Sequence, residues 1–275
     1  MQVQFFKTRS ELLKQFLEGY YFLSKPERGD IVYLTFPNNF VSVSVYRHTY
    51  ISLSDNHAVI SEDLKADFNS VLISNYKLPI TVTYCGRVDE ITLSFKPSGI
   101  NSFLADFSSY SQNQLNKFIP FEDYQHAMAS ILDEPDIEKR ILALENYWLS
   151  KLIKFENTLL DALIADISVE ESYVSISKLA FKHHTSRQNV NKLFNRYVGK
   201  SPNDFKKINR FRFALSKKIT AENQGKNLTS ISYESLFYDQ SHMIKEFKNL
   251  TGLTPSEFFK QINLKVGAGS WLFHS

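Results

Sequence analysis

Gln188, Asn191 and Lys192 are spaced i, i+3 and i+4, so a helix would hold them on one face. That set of side chains can read the edges of bases. Glutamine and asparagine amides pair with adenine, and lysine donates to guanine. Val190, Leu193 and Phe194 fall on the other face, where a core would take them. Gln240, Ser241 and Lys245 take the corresponding positions of a second such helix. Five more cations, Arg187, Arg196, Lys206, Lys207 and Arg210, are candidates for phosphate contacts or for salt bridges. Arg210 carries a further alternative, a strut between two helical units.

Other chemistries find no constellation here. His183 and His184 are adjacent and would diverge by about 100° on a helix. No Cys/His zinc spacing and no H-E-x-x-H occurs, so no metal is expected. Cys85, the one cysteine, is open to two readings, core thiol or nucleophile, and it excludes an internal disulfide. Val266-Gly267-Ala268-Gly269 follows no strand and does not read as a phosphate loop. Phe22, Tyr33, His48 and Tyr84 could line an effector pocket or simply fill a core. No catalytic residue and no cofactor is expected.

The elements that must position the base-reading residues come from a repeat. Ser186 to Lys207 aligns without a gap on Asp239 to Lys260. Lys192, Phe194, Gly199, Pro202, Phe205 and Lys207 fall on Lys245, Phe247, Gly252, Pro255, Phe258 and Lys260. Gly199 and Gly252 stand where a helix end needs a left-handed residue. Ser201-Pro202 and Thr254-Pro255 read as an N-cap followed by proline at the first helical position. Short helices, Ile176 to Ala180 and Ile231 to Leu236, precede the two units. Each unit is thus a helix-turn-helix, and Pro202 to Ile219 is a basic helix joining them.

The first half is different. Asp30 to Phe36, Phe40 to Tyr46, Tyr50 to Leu53, Ser70 to Ser74, Ile80 to Tyr84 and Glu90 to Phe95 read as short strands, which suggests an antiparallel barrel or sandwich. A helix over Ser10 to Glu18 precedes them, and a short one over Ile100 to Phe107 follows. A long helix spans Asp136 to Phe155, with Ile137, Ile141, Leu144, Trp148 and Leu152 on one stripe. That stripe covers either its own sheet or a second copy of the chain. Another helix runs from about Asn157 to Ile167. The expected class is α+β, with an N-terminal antiparallel β barrel or sandwich plus helices and an all-α C-terminal half. The expected divisions are an effector or partner domain (1–168), a double helix-turn-helix domain (169–265) and a tail (266–275).

Charge divides along the same line. Up to Val169 there are 15 Lys and Arg against 21 Asp and Glu, and from Glu170 to Lys265 there are 17 against 8. A basic half beside an acidic one suggests a polyanion as partner for the second. The length of 275 residues suits two domains. No stretch approaches the roughly 20 apolar residues of a membrane span, and a soluble cytoplasmic protein is expected, with no membrane partner.

Leu179-Ala180, Ser186-Arg187, Leu193-Phe194, Gly199-Lys200-Ser201-Pro202, Phe205, Arg210 to Leu215, Phe237 to His242, Phe247 and Gly252-Leu253-Thr254-Pro255 together resemble the AraC/XylS family of transcription regulators. The resemblance spans Tyr173 to Lys265. Tyr233 and Leu236 depart from it where the family has Ala and Gly, and Lys217-Lys218 where it has apolar residues. Gly19-Tyr20-Tyr21 and Phe95 to Ile100 are similar to an uncharacterised regulator domain found before such modules. The resemblance implies a sequence-specific DNA-binding regulator, most often an activator, with an N-terminal sensing or dimerisation domain. Double-stranded DNA, a small-molecule effector, RNA polymerase and a second copy of the chain are the implied partners. The alternative is an enzyme whose N-terminal half is catalytic and whose basic half tethers it to nucleic acid.

Overall fold

The computed structural model describes residues 1–111, 115–168, 175–223, 240–261 and 271–273. The N-terminal half builds two stacked sheets. The first holds β1 (Gln2–Phe6), β2 (Leu17–Lys25), β9 (Val88–Phe95), β4 (Val41–Arg47), β7 (Phe68–Ile73) and β10 (Leu115–Lys117), in that spatial order and all antiparallel. The second holds β11 (Trp271–Phe273), β3 (Ile31–Thr35), β8 (Ile80–Cys85), β6 (His57–Glu62) and β5 (Thr49–Ser54). In it β6 and β8 run parallel. The sheets form a sandwich and not a closed barrel. The 271–273 segment, expected as tail, returns to pair with β3.

Alternation along the strands makes the layers, because successive side chains point to opposite faces. On β2, Tyr20 and Phe22 face one core while Tyr21 and Leu23 face the other. The core between the sheets is rich in tyrosine: Tyr21, Tyr33, Tyr46, Tyr76 and Tyr84. The opposite face of the first sheet is covered by α1 (Tyr124–Asp133) and α2 (Ile137–Ser150). Asp136 caps α2 by accepting from the amides of Glu138 and Lys139 at 3.0 and 2.9 Å. The stripe of α2 packs on its own sheet: Ile141, Leu144 and Trp148 are buried, with Ile137 and Leu152 against them.

Three expectations need correction. Ser10 to Glu18 is a 3-10 turn over Leu13–Gln15 that runs into β2, because Leu17 to Lys25, with its leucines and the run Tyr20-Tyr21-Phe22, is buried as a strand of the first sheet. Glu145 of α2 reaches over this turn and accepts from the amides of Arg9 and Ser10 and from the Tyr20 hydroxyl. Ile100 to Phe107 is only a 3-10 turn over Gly99–Ser102. The long helix stops at Ser150, short of Phe155.

The C-terminal half is helical. It comprises α3 (Thr158–Ser168), α4 (Ile176–Lys182), α5 (Arg187–Tyr197), α6 (Pro202–Asn223), α7 (Gln240–Thr251) and α8 (Pro255–Gln261). Leu160, Leu163 and Ile167 of α3 share a core with Leu179 and Ala180 of α4, Val190 and Phe194 of α5, and Phe205 of α6. A second core joins Ile208, Phe211, Ala214 and Leu215 of α6 to Phe247 and Leu250 of α7 and Phe258 of α8. Ile231 to Leu236, with Tyr233, lies outside the described residues, as does the Val266 to Gly269 run.

Candidate nucleic-acid interface

Sequence dictates the first unit turn by turn. Ser175 caps α4, and its hydroxyl accepts from the Lys178 amide at 3.2 Å. The chain then turns through His184 at φ 49°, and the Thr185 amide donates to the Ala180 carbonyl at 2.9 Å. Ser186 caps α5 through the Asn189 amide at 3.1 Å. Asp166 of α3 fastens the corner by accepting from His183 and Lys182, at 2.7 and 2.8 Å. Those two partners hold its carboxyl below the usual range.

At the far end, Gly199 sits at φ 74° and Gly252 at φ 77° in the corresponding place. Helix α6 begins at Pro202, with the Ser201 hydroxyl accepting from the Asp204 amide at 3.1 Å. Helix α8 begins at Pro255 inside a capping box: Glu257 accepts from the Thr254 amide at 2.8 Å, and the Glu257 amide donates back at 3.3 Å. The glycine stop and capped restart therefore recur in both units.

With α5 anchored by Val190 and Phe194, its opposite face is open. Arg187, Gln188 and Lys192 are exposed. Asn191 is half-buried, and its amide donates to the Arg187 carbonyl at 2.8 Å. Arg196 is exposed, with its guanidinium 5.2 Å from the Tyr197 ring centre. In the second unit Gln240 is the first residue of α7, and its side chain lies outside the described residues. Ser241 and Lys245 are exposed one turn apart on that helix.

The α6 cations separate by burial. Lys207 is exposed, and Lys206 is half-buried, with its ammonium pushed down by desolvation and by Arg210. Arg210 pairs two-pronged with Glu246 of α7, which is only 5% exposed. This pair ties the joining helix to the second unit.

The halves meet at the loop after β3. Phe36 is fully buried in the second helical core, with ring centres 5.0 Å from Phe258 and 6.5 Å from Phe211. Arg212 donates to the Pro37 carbonyl at 2.8 Å and to that of Phe36, which also accepts from the Tyr76 hydroxyl. Lys200 donates to the Asn38 carbonyl at 2.7 Å, and Asn39 to that of Phe205 at 3.0 Å. Asn101 reaches the Tyr197 carbonyl at 2.8 Å. Burial pushes the Lys200 ammonium down to about 7.

The four residues expected to line an effector pocket do not come together. Tyr33 lines a cavity between the sheets, and Tyr84 bonds to it at 3.0 Å. Phe22 faces the helix-covered core on the other side of the first sheet, under Arg140. His48 is exposed in the β4–β5 turn at φ 49°. Sequence reasoning missed Glu90, a buried carboxylate in that cavity. Its signal was an acidic residue in the middle of an apolar strand. Among the described residues, no group of three or more His, Cys, Asp or Glu is placed to hold a metal. No helix there is long and apolar enough to cross a membrane.

Two capped, glycine-stopped helical units on one joining helix define a DNA-binding module. Residues 179–261 match the family described as a Helix-turn-helix domain, of the AraC type, and the chain is a DNA-binding transcription regulator. Among solved structures it is similar to ToxT from Vibrio cholerae, at 11% identity over 88% of this chain and 97% of that one, with a TM-score of 0.47. It is also similar to wild-type ToxT with a bound unsaturated fatty acid, at 12% identity, 90% and 97% coverage and a TM-score of 0.48. ToxT bound to (E)-4-(8-methylnaphthalen-1-yl)but-3-enoic acid matches at 12% identity, 87% and 97% coverage and a TM-score of 0.44. No curated protein sequence matches.

Proposed function

We propose that α5 and α7 are the two recognition helices and that a single chain reads an asymmetric DNA site with both. The observation that carries this is the exposed pair Gln188 and Lys192 on α5, echoed by Ser241 and Lys245 on α7, each on a helix held by its buried Phe. Gln188, Asn191, Lys192, Gln240, Ser241 and Lys245 contact bases. Arg187, Arg196, Lys206 and Lys207 contact phosphates. Arg210, engaged by Glu246, holds α6 to α7 instead.

The N-terminal half, residues 1–168, senses an effector, and residues 169–265 bind DNA. Helix α3 packs with the DNA-binding core, so it serves as the hinge side of that division. The chain acts as a non-enzymatic activator in the cytoplasm, with RNA polymerase and a second copy as partners. Selection of bound fragments from a random duplex pool by the purified full chain tests this. A recovered motif with two separated conserved patches is expected. Retention with no sequence enrichment would reduce the chain to a non-specific binder.

A further inference from the structure

The cavity between the two sheets holds about 70 Å³. Its lining includes Tyr21, Tyr33, Tyr46, Tyr76 and Asn38 around Glu90. Glu90 is the one charged residue among the described lining residues, and no lysine, arginine or histidine stands there. A carboxylate buried without a cation is costly and needs a reason.

Its hydrogen bonds describe the surface a ligand would meet. Glu90 accepts from Tyr21 at 2.7 Å, from Thr92, and from Tyr84. Because Tyr84 gives its one proton to Glu90, Tyr33 is the donor in the 3.0 Å Tyr33–Tyr84 pair. Asn38 offers an acceptor: its Oδ1 is buried and has no partner. Tyrosine ring faces also attract cations. An acceptor, aromatic rings and one acidic side chain with no basic residue beside it in the lining all favour the same kind of guest.

We propose that this cavity is the binding site of a small organic ammonium ion, with Glu90 as its counter-charge and Asn38 as a second acceptor. The proposal rests on the reading of the N-terminal half as a sensor. A cavity of about 150 Å³ takes benzene, so this one suits an ion of roughly three to five non-hydrogen atoms. The site has a short route to the DNA-binding half. Asn38 and Tyr76 line it, and these two residues meet Lys200 through the Asn38 carbonyl and Arg212 through the shared Phe36 carbonyl.

Burial raises the Glu90 carboxyl above its ordinary range. The groups that face it are Tyr21 of β2, Tyr33 of β3, Tyr46 of β4 and Tyr84 of β8, all held above the usual phenol value.

The test is calorimetric titration of the full chain with propylammonium chloride, 1-propanol and sodium propionate. Propylammonium alone is expected to bind. Glu90→Gln should weaken that binding by about tenfold or more, the cost of losing a charged hydrogen-bonding partner. If Glu90→Gln does not fold, the wild-type preference for propylammonium over 1-propanol and propionate decides the matter. No binding of propylammonium, equal binding of propionate or propanol, or undiminished binding by folded Glu90→Gln would each overturn the proposal. Retention of duplex DNA by the same preparation is measured alongside. DNA binding without amine binding removes the cavity proposal alone, whereas loss of DNA binding removes the regulator reading.

Discussion

Lys200 and Lys207 show how one residue type takes two roles seven positions apart. Lys207 is exposed and free to meet a phosphate, whereas Lys200 is 3% exposed and spends its ammonium on the Asn38 carbonyl. The folded value for Lys200, about 7, lies below its ordinary 10.5. Desolvation is the main cause, Arg212 adds to it, and Asp204 opposes it. Between those two values the unfolded chain binds the extra proton, so this residue makes stability rise with pH across that window. The rise is at most about 1.4 kcal/mol per pH unit. The difference between the denaturation midpoints of wild type and Lys200→Met should be constant below the window and constant above it, and within it the wild type should gain on the variant as pH rises. Lys207→Ala should weaken binding to all DNA sequences alike and lower the salt slope by about 1, while Gln188→Ala should cost about 1–3 kcal/mol at one or two base positions only. Binding curves on single-base variants at two salt concentrations separate these outcomes. Gln188 and Lys192 were legible in sequence because helical spacing fixes their face. Glu90 was not singled out: its one signal, an acidic residue in an otherwise apolar strand, does not tell that both faces of β9 are covered, which is a tertiary fact.

At the scale of elements, Gly199 and Gly252 share a left-handed backbone but not a neighbourhood. A Cβ on Gly199 would meet the Phe107 ring and Ser111 at 3.3 Å, while one on Gly252 would meet nothing within 4 Å. Gly252→Ala should therefore cost about 1–2 kcal/mol, the left-handed penalty alone. Gly199→Ala should cost more, because Phe107 belongs to the packed N-terminal core. Urea denaturation of the two variants makes the comparison. The repeat was legible because Gly and Pro have fixed backbone meanings, and their register survives in both units. The helix expected over Ser10 to Glu18 failed for a tertiary reason. Leu17 to Lys25 is claimed by the first sheet, and Glu145, 135 residues beyond Ser10, completes the turn before it. No local pattern reports a partner that distant.

Across the whole molecule, Phe36 carries the sandwich into the DNA-binding half, with Leu34 packed beside it. Phe36 is fully buried among Phe211, Phe247 and Phe258. Phe36→Ala should cost about 3–5 kcal/mol and lower the unfolding midpoint, while Leu78→Ala, at an exposed position, should leave it unchanged. This seam was illegible in sequence, because Asp30 to Phe36 reads as a strand whatever its end touches. The charge division was legible and agrees with a polyanion partner for the helical half. Helix α6 runs for 22 residues, about 33 Å at 1.5 Å per residue. That length approaches the roughly 34 Å between successive major-groove turns.

Hydroxyl-radical footprinting of the full chain on its selected DNA site tests the two-helix reading most directly. Two protected patches on one face of the duplex, about one helical turn apart and unequal in sequence, are expected. Protection should fade as salt rises, because phosphate contacts release counterions. Lys245→Ala should then weaken one patch and Lys192→Ala the other. A single patch per chain, or a symmetric footprint unmoved by Lys245→Ala, would contradict the account, since α7 would then read no groove.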